Sequence, residues 1–343
     1  MSEPACPPLH RLYYTATQGG RVAWYLAHYA LTARLSSPWR GAPRHYSVPL
    51  PTLKVLLADL RATFEEEWRD IAAGLYRAPH DALRPPHEVL GQSLAYFADF
   101  FAVDRRRRQG ATQEAAALAG AGSWPRYYTQ NFHFQTDGYL SERSARLYDG
   151  QVETLFLGGG DLMRRRALPW IAQLQPARLL DVGCGTGRFL GFVADSFPGI
   201  ERLALDLSPA YLREAARQLK RWPGTKFIEA KAEKIPEPDA SIDLVSAVFL
   251  FHELPAQVRT RVLGEIARVL KPGGSFLLLD SLQRGDHPPY DGLLEFFPVA
   301  FHEPYYTDYV SQDLGTLAAP HGLRLVETRR AFLSKIALFR KER

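Results

Sequence analysis

The feature that most constrains the fold is an apolar run that opens into three closely spaced glycines, ARLLDVGCGTG at Ala177–Gly187. This run predicts a buried strand that ends at Asp181 and breaks into a loop where backbone can approach a ligand. Glycine suits the loop because a Cβ would block that approach and because the turn needs backbone angles that other residues resist. Arg188–Ser196 then has a helical pattern, so the free N–H groups of a helix start face the same crevice.

The chain after residue 177 has the pattern of an α/β domain. Short β-branched or leucine-rich runs alternate with helical stretches, which implies a parallel sheet with helices on both faces. The last two strand candidates follow each other without a helix, so we expect a hairpin with one strand antiparallel at the end of the sheet. The strand candidates are Arg178–Val182, Arg202–Asp206, Lys226–Glu229, Leu244–Phe249, Ser275–Asp280, Leu323–Thr328 and Phe332–Arg340, and the helix candidates are Arg188–Ser196, Pro209–Arg221, Ala256–Leu270 and Tyr309–Ala319.

The first third of the chain has a different pattern. Residues 11–103 show apolar side chains at three- and four-residue steps, which is typical of amphipathic helices, and little strand signal. Residues 104–126 are rich in Arg, Gln, Ala and Gly, which suggests an exposed connection. We therefore expect a helical N-terminal domain at 1–126, lid or linker helices at 127–176 and an α/β domain at 177–343.

The composition limits the functional classes that fit. Of the 343 residues, 46% are hydrophobic and 23% are charged, as in an ordinary globular protein. The net charge is +5, and we interpret Arg105–Arg108 as a solvated helix end or loop, with a contact for an acidic partner as the alternative. Cys6 and Cys184 are too few for a disulfide framework or a cysteine-based metal site. Without a secretory signal or an apolar run of the roughly 20 residues that span a bilayer, we expect a cytoplasmic protein.

Features downstream of the glycine loop indicate what the crevice holds. Asp206 ends the second strand about twenty residues beyond the loop, where a doubly wound fold accepts hydrogen bonds from ribose hydroxyls. Ala230–Pro236 follows the third strand and is placed to meet an adenine edge. Ser241–Val248, and then FLFHEL at Phe249–Leu254, lie at the mouth of the fourth strand.

In four ordered motifs the sequence resembles a class I S-adenosylmethionine-dependent methyltransferase. The motifs are the glycine loop, LALDLS, SIDLV and EIARVLKPGGSFLLLD at Glu265–Asp280. The resemblance covers residues 160–343 and is closest to the small-molecule subgroup with the ubiquinone/menaquinone methyltransferases. It implies a Rossmann-like, seven-stranded and mostly parallel sheet after an all-α N-terminal domain, with S-adenosyl-L-methionine as cofactor. A nicotinamide-binding protein would instead favour GxGxxG, whereas GxGxG followed by Arg188 stands here.

The resemblance implies roles for residues around the crevice. Asp181 and the glycine loop would hold the methionine and ribose portions, Asp206 the ribose hydroxyls, and the FLFH stretch would line the donor-methyl side. Many relatives have an acid where Lys231 stands, and because lysine cannot accept a hydrogen bond, Glu233 or backbone carbonyls must contact the adenine amino group, or that contact is missing. The cofactor-binding candidates are Asp181, Gly183, Cys184, Gly185, Gly187, Asp206, Leu207, Ala232, Glu233 and Phe249.

Methyl transfer from a sulfonium needs the acceptor, methyl and sulfur in line, and a group that removes a proton from a hydroxyl, thiol or ammonium acceptor. His252 is the candidate general base because a histidine near its unperturbed pKa accepts a proton at neutral pH. The alternative is that His252 orients a loop or caps the next helix, and Glu253 is either its partner or a helix-entry residue.

Two segments with many polar and aromatic residues supply the other acceptor-side candidates. We interpret Tyr127–Leu140 as a lid over the cofactor, with packing between domains as the alternative, and Glu295–Tyr309 as an opposite wall. His252, Glu253, His302 and Glu303 lack a recognised ligand spacing, so we expect no metal. DHPPY at Asp286–Tyr290 is interpreted as a loop turn. The catalytic candidates are His252, Tyr128 and His302, and the substrate-binding candidates are His133, Tyr139, Glu295, Tyr305 and Tyr306.

These features predict methyl transfer to a small-molecule oxygen, nitrogen or sulfur nucleophile. Two alternatives stay open. One is methylation of a macromolecule such as RNA or protein, which the pI near 9.1 favours slightly and the lack of a recognised nucleic-acid module opposes. The other is a non-catalytic protein that binds the cofactor. We expect a small-molecule substrate, no nucleic acid and no membrane, with a homodimer as an open option.

Overall fold

The structure is a computed structural model that describes residues 8–36, 45–79, 86–118 and 124–342. Seven strands in these residues form a single sheet. They are β1 (Arg178–Val182), β2 (Glu201–Asp206), β3 (Thr225–Glu229), β4 (Ile242–Val248), β5 (Leu270–Ser281), β6 (Leu323–Ala331) and β7 (Ser334–Lys341).

The order across the sheet is β3-β2-β1-β4-β5-β7-β6. All pairs among β1 to β5 are parallel, whereas β7 is antiparallel to both β5 and β6. The predicted mostly parallel sheet and terminal hairpin are thus confirmed, with β7 inserted between β5 and β6 rather than at the edge. The strand order reverses between β1 and β4, and in such sheets ligands bind outside the carboxyl ends of these two strands.

Helices pack on both faces of the sheet because the apolar side chains of each strand alternate between two cores. Leu180 and Val182 belong to one core with α10 (Ala256–Val269), and Leu179 belongs to the other with α7 (Leu168–Leu174) and α8 (Arg188–Ser196). None of the helices in the described ranges is both long and apolar enough to span a membrane. The helices are α1 (Pro8–Leu35), α2 (Leu53–Ala72), α3 (Pro86–Gln109), α4 (Glu114–Leu118), α5 (Glu142–Leu155), α6 (Gly160–Arg165), α7 (Leu168–Leu174), α8 (Arg188–Ser196), α9 (Pro209–Gln218), α10 (Ala256–Val269), α11 (Asp291–Ala300), α12 (Tyr306–Tyr309) and α13 (Leu314–Ala318).

The N-terminal helices dock on the rest of the chain through ion pairs. Glu67 of α2 is fully buried and accepts hydrogen bonds from Arg165 of α6 at 2.5 and 3.0 Å and from Tyr14 of α1 at 2.5 Å. Nearer the start of α2, Asp59 accepts from Arg330 of β6 at 2.5 and 2.8 Å. Because removing one partner of a buried ion pair leaves an uncompensated charge, the fully buried Glu67–Arg165 pair in particular holds α2 against α6.

Two expectations about local structure were wrong in part. The helix predicted at Tyr309–Ala319 is split, because α12 ends at Tyr309 and Asp313 caps a new helix by accepting from the Thr316 N–H at 2.6 Å. The segment after residue 104 is not simply an exposed connection, because α3 continues to Gln109. Within it the Arg106 side chain is largely buried, pairs with Glu114, and donates to the Phe134 carbonyl at 3.1 Å. Residues 119–123 and Cys6 lie outside the described residues.

Candidate functional site

The glycine loop between β1 and α8 has the backbone that its spacing predicts. Gly183, Gly185 and Gly187 have φ angles of 71°, 56° and 73°, a region that is costly for residues with a Cβ. A Cβ on Gly183 or Gly187 would come within 3.0 Å of a leucine side chain, whereas a Cβ on Gly185 would meet nothing within 4 Å. The outer two glycines therefore also allow close packing, and Gly185 faces the open cleft.

Asp206 supports this loop from the end of β2. Its Oδ2 accepts from the Gly185 N–H and its Oδ1 from the Ser208 N–H, both at 2.8 Å. The N–H groups of Gly183 and Cys184 also donate to the carbonyl of Leu205, at 2.8 and 2.9 Å. An ionised carboxylate has about four acceptor positions, so Asp206 retains capacity to accept from a ligand in the cleft.

Asp181, at the end of β1, is buried beside the neighbouring strand β4. Its Oδ1 accepts from the Ser246 hydroxyl at 2.7 Å. Burial raises the pKa of Asp181 to about 7, with the nearby Asp206 charge adding to the rise and the Ser246 hydrogen bond opposing it. A cationic ligand in the cleft would favour the ionised form of this carboxyl.

Four tyrosines from the segment before the sheet line the cleft: Tyr127, Tyr128, Tyr139 and Tyr148. The carbonyl of Tyr139 accepts from the Ser208 hydroxyl at 2.7 Å and from the Tyr128 hydroxyl at 3.4 Å. The Ser208 bond ties the predicted lid segment to the loop after β2, and the Tyr128 bond lies within that segment. Tyr128 and Tyr139, candidates from the sequence, therefore lie at the cleft.

Most of the cofactor-binding candidates meet at this cleft. Gly187 is an exception because it packs against α9. Glu233 is another, because its Oε1 accepts from the Tyr127 hydroxyl at 2.9 Å, while its buried Oε2 has no hydrogen-bond partner among the described residues. Lys231 is exposed. The candidates that line the cleft are Asp181, Gly183, Cys184, Gly185, Asp206, Leu207, Ala232 and Phe249.

Two arginines that sequence reasoning missed, Arg164 and Arg188, also line the cleft. Arg164 is buried, with its guanidinium 5.3 Å from the centre of the Phe249 ring. Both arginines bind the buried carboxylate of Asp161, Arg164 at 3.2 Å and Arg188 Nε at 3.0 Å. Burial acts to raise the pKa of Asp161, but Arg188 and Arg21 hold it well below its usual range. For Arg164, the available signal was MRRR, a basic run within an otherwise apolar stretch.

An apolar cavity adjoins the cleft at Phe249, which lines both. Phe249 has a strained φ of 55° and stacks on Phe156 with ring centroids 6.1 Å apart. The cavity is walled by residues from α2, α11 and the turn between β6 and β7, which the chain brings together from distant segments. These residues include Leu53, Leu56, Leu293, Leu294, Phe297, Phe332 and Leu333.

His252 lines this apolar cavity from the turn after β4. Its Nδ1 is 2.6 Å from Oδ1 of Asp280 at the end of β5, and the other Asp280 oxygen accepts from the Phe251 N–H at 2.8 Å. Burial acts to lower the pKa of His252, but the charge of Asp280, with Glu303 and Glu253, raises it to about 10. Asp280 was not among the site residues predicted from the sequence. It could have been found because, like Asp181, it is an acidic residue at the end of an apolar strand.

A second polar group, which we call the carboxylate–histidine cluster, lies beside His252 and consists of His133, Glu253 and Glu303. The Nε2 of His133 is 3.2 Å from Glu303 Oε1 and 3.9 Å from Glu253 Oε1, and Glu253 accepts a short hydrogen bond from the Tyr139 hydroxyl. Burial raises the pKa of Glu303 well above its usual value and that of Glu253 to about 7, and it lowers that of His133 to about 3.

The remaining candidates lie at varied distances from the cavity. Tyr306 lines it, with its hydroxyl 2.5 Å from the Ser281 Oγ. His302 Nε2 instead contacts Gln130 Oε1 at 3.1 Å, and Tyr305 packs on Phe132. The structure does not bring Glu295 to the cavity, because its carboxylate accepts from the Ser47 N–H at 2.8 Å and from Arg284 at 3.2 Å. The DHPPY turn does reach the cavity, through Tyr290.

Comparisons with known proteins agree with this geometry. A family model described as a methyltransferase domain matches residues 179–274. The demethylmenaquinone methyltransferase of Thermus thermophilus is 36% identical over 134 residues, which are 39% of this chain and 60% of that protein. An uncharacterized methyltransferase of Synechocystis sp. is 30% identical over 51% of this chain and 80% of that protein. The demethylmenaquinone methyltransferase of Deinococcus radiodurans is 33% identical over 50% of this chain and 67% of that protein.

The fold and cleft define a Rossmann-like nucleotide-binding enzyme, and the chain belongs to the class I S-adenosylmethionine-dependent methyltransferases. The cleft fits that family's cofactor on its own chemistry. Two carboxylates, Asp181 and Asp206, face a cleft lined by aromatic rings, a combination that favours a cationic sulfonium. The guanidinium groups of Arg164 and Arg188, which also bind Asp161, would supply positive charge for the carboxylate of that cofactor.

Proposed function

We propose that this enzyme transfers a methyl group to a small, largely apolar acceptor through an oxygen, nitrogen or sulfur nucleophile. The observation that carries the proposal is the apolar cavity that meets the cofactor cleft at Phe249. An acceptor seated there would present one end at the cleft and bury the rest among aliphatic and aromatic side chains. Two of the relatives described above are named for demethylmenaquinone, a small-molecule acceptor.

S-adenosylmethionine supplies an electrophilic methyl group on a sulfonium, so the nucleophile forms its bond to carbon as the carbon–sulfur bond breaks. The chain's own residues have to hold the acceptor in line and accept its proton. Phe249 separates the two chambers, and its strained backbone is fixed by the bond from its N–H to the Leu279 carbonyl at 2.8 Å. Strain that the surroundings maintain in this way is a feature of functional sites.

We propose His252 as the residue that handles the acceptor's proton. Asp280 binds Nδ1, so Nε2 is the ring atom available to an acceptor. Among the described residues that line the apolar cavity, His252 is the only histidine, and that lining includes no Asp, Glu, Lys or Arg. Because its pKa is raised to about 10, the imidazole carries a proton at neutral pH and must lose it before it can act as the base.

We also propose that residues 127–176 close over the cofactor and that the N-terminal helices shape the acceptor site. The hydrogen bonds of Tyr139 support the first role. The presence of Leu53 and Leu56 of α2 in the cavity wall supports the second. Arg106, Arg107 and Arg108 each pair with a carboxylate of the same chain, which makes them less suited to an acidic partner.

The test is methyl transfer from isotopically labelled S-adenosylmethionine in a cell extract, with the labelled product identified by mass analysis. We expect label in a small molecule that partitions into organic solvent, and no label with Asp206→Ala protein. Label in RNA or protein alone would instead support macromolecular methylation. Tight binding of S-adenosylhomocysteine with no labelled product from any fraction would support a non-catalytic role.

A further inference from the structure

We infer that the carboxylate–histidine cluster is a binding site for one first-row divalent metal ion, such as Mn²⁺ or Zn²⁺. The three ligands would be His133 Nε2 and one carboxylate oxygen each from Glu253 and Glu303. These atoms come from three separate segments of the chain, and all lie within 4.8 Å of one another. One imidazole and two carboxylates form a ligand set that suits such ions.

The central observation is the state of Glu303. The side chain is fully buried, and neither carboxylate oxygen has a hydrogen-bond partner among the described residues. His133 Nε2 approaches at 3.2 Å without hydrogen-bond geometry. A buried carboxylate without any hydrogen-bond partner requires a proton or a cation beside it, because an unpaired buried charge is strongly unfavourable.

The spacing of the ligand atoms fits one ion with a small adjustment. With bonds of about 2.0–2.2 Å, two ligand atoms on one ion lie roughly 3.0–3.5 Å apart. The contact between His133 and Glu303 at 3.2 Å meets this requirement already. Glu253 is 3.9 Å from His133, and all three atoms lie within 4.8 Å of one another, so a side-chain shift of at most about 1.5 Å brings it into range. The hydroxyl of Tyr139 donates to Glu253 and would orient that ligand, as outer hydrogen bonds do at metal sites.

The position of the cluster suggests what the ion would contact. Glu253 lines the cofactor cleft, His133 lines a second apolar cavity beside α3, and His252 next to Glu253 lines the cavity at Phe249. The ion would therefore lie where these three spaces meet, with its remaining coordination positions open to an oxygen of the acceptor. This arrangement is typical of a site with three protein ligands and one open position.

From the sequence, the only metal group considered was His252, Glu253, His302 and Glu303, and no metal was expected; His133 was not part of that group. The tertiary structure makes the difference, because His302 contacts Gln130 instead, while the turn at Phe132–Phe134 directs His133 at Glu303. The pair of glutamates lies 50 residues apart in the chain, so no local ligand spacing exists.

The experiment measures metal binding directly and does not depend on turnover or on the acceptor. Chelator-treated full-length protein would be titrated by calorimetry with MnCl₂, ZnCl₂ and MgCl₂. The same titrations would use Glu303→Gln, which keeps the side-chain shape, and Glu65→Gln, a matched change at an exposed ion pair with Arg11. Binding of S-adenosylhomocysteine to each variant serves as the check that the cleft is folded.

We expect one Mn²⁺ or Zn²⁺ per wild-type chain, at least about 100-fold weaker binding to Glu303→Gln, and unchanged binding to Glu65→Gln. No binding by wild-type protein, binding of Mg²⁺ alone, or equal binding to Glu303→Gln would overturn the inference. If Glu303→Gln loses S-adenosylhomocysteine binding, His133→Gln, at a ligand that does not line the cofactor cleft, takes its place under the same criteria. If wild-type protein binds the metal but transfers no methyl group to a small molecule, the proposed function fails and the metal site stands.

Discussion

The cofactor cleft and the apolar cavity meet at Phe249, yet they are built differently. The polar contacts of the cleft come mostly from neighbouring strand ends, with Asp181, the glycine loop and Asp206 all within 26 residues. The cavity takes its walls from α2, α11 and the β6–β7 turn, and more than 200 residues separate α2 from the other two. A site formed by residues close together in the chain can be predicted from the sequence. A site formed by the docking of distant elements cannot.

The largest effect is expected from a substitution that disrupts the cofactor cleft and leaves the apolar cavity unchanged. Asp206→Ala removes the acceptor for the Gly185 and Ser208 N–H groups as well as the proposed ribose contact. Because hydrogen bonds to a charged group contribute about 1.5–3 kcal/mol each, we expect affinity for S-adenosylhomocysteine to fall by about 100-fold or more. Calorimetry measures it, with Asp239→Ala, which removes an exposed carboxylate bonded to Arg268, as control. A loss under about threefold would mean that Asp206 does not bind the cofactor.

The second substitution alters the apolar cavity and leaves the cofactor cleft unchanged. Leu293→Trp would fill the apolar cavity from α11, and we expect kcat/KM for the acceptor to fall about tenfold. Affinity for S-adenosylhomocysteine should stay within about twofold, because Leu293 does not line the cleft. Val299→Trp, on an exposed face of the same helix, is the matched control. Equal effects of the two tryptophans on turnover would place the acceptor elsewhere.

The pH dependence of cofactor binding tests the charge state of Asp181 in the cleft. Asp181 has a pKa near 7 and faces Asp206, Cys184 and Arg164. Below this pH the carboxyl is protonated and must release its proton when a sulfonium binds. We therefore expect S-adenosylmethionine to bind about tenfold more weakly at pH 6 than at pH 8. Asp181→Asn should flatten the profile, and an unchanged slope in that variant would assign the titration to another group.

The smallest effect is expected from a substitution that loosens α2, which forms part of the cavity wall. Asp59→Ala removes the acceptor for Arg330 and for the Tyr290 hydroxyl, which join α2 to the sheet domain and the DHPPY turn. We expect the free energy of unfolding to fall by about 1–2 kcal/mol. Urea denaturation measures the change. Glu65→Ala, at an exposed ion pair, should cost under about 0.5 kcal/mol, and an equal cost for both would mean that the Asp59 contacts do not hold α2.

Much of the fold could be predicted because its signals are local. The strands β1 and β4, the helix α8 and the terminal hairpin follow from periodicity and turn residues over short windows. The predicted helix at Tyr309–Ala319 failed because Asp313 caps a new helix within an otherwise helical pattern. Glu295 was expected at the acceptor because it lies in an aromatic segment, but only packing decides which face of α11 points inward.

The sequence by itself determined the strand, loop and helix that form the proposed cofactor cleft. There the φ angles of Gly183, Gly185 and Gly187 and one carboxylate at the next strand end act between near neighbours. Only the tertiary structure decided that His133, Glu253 and Glu303 meet, and that α2 closes an apolar cavity beside them. The physical reason is that these contacts join elements far apart in the chain, so they depend on how helices dock rather than on any local pattern of residues.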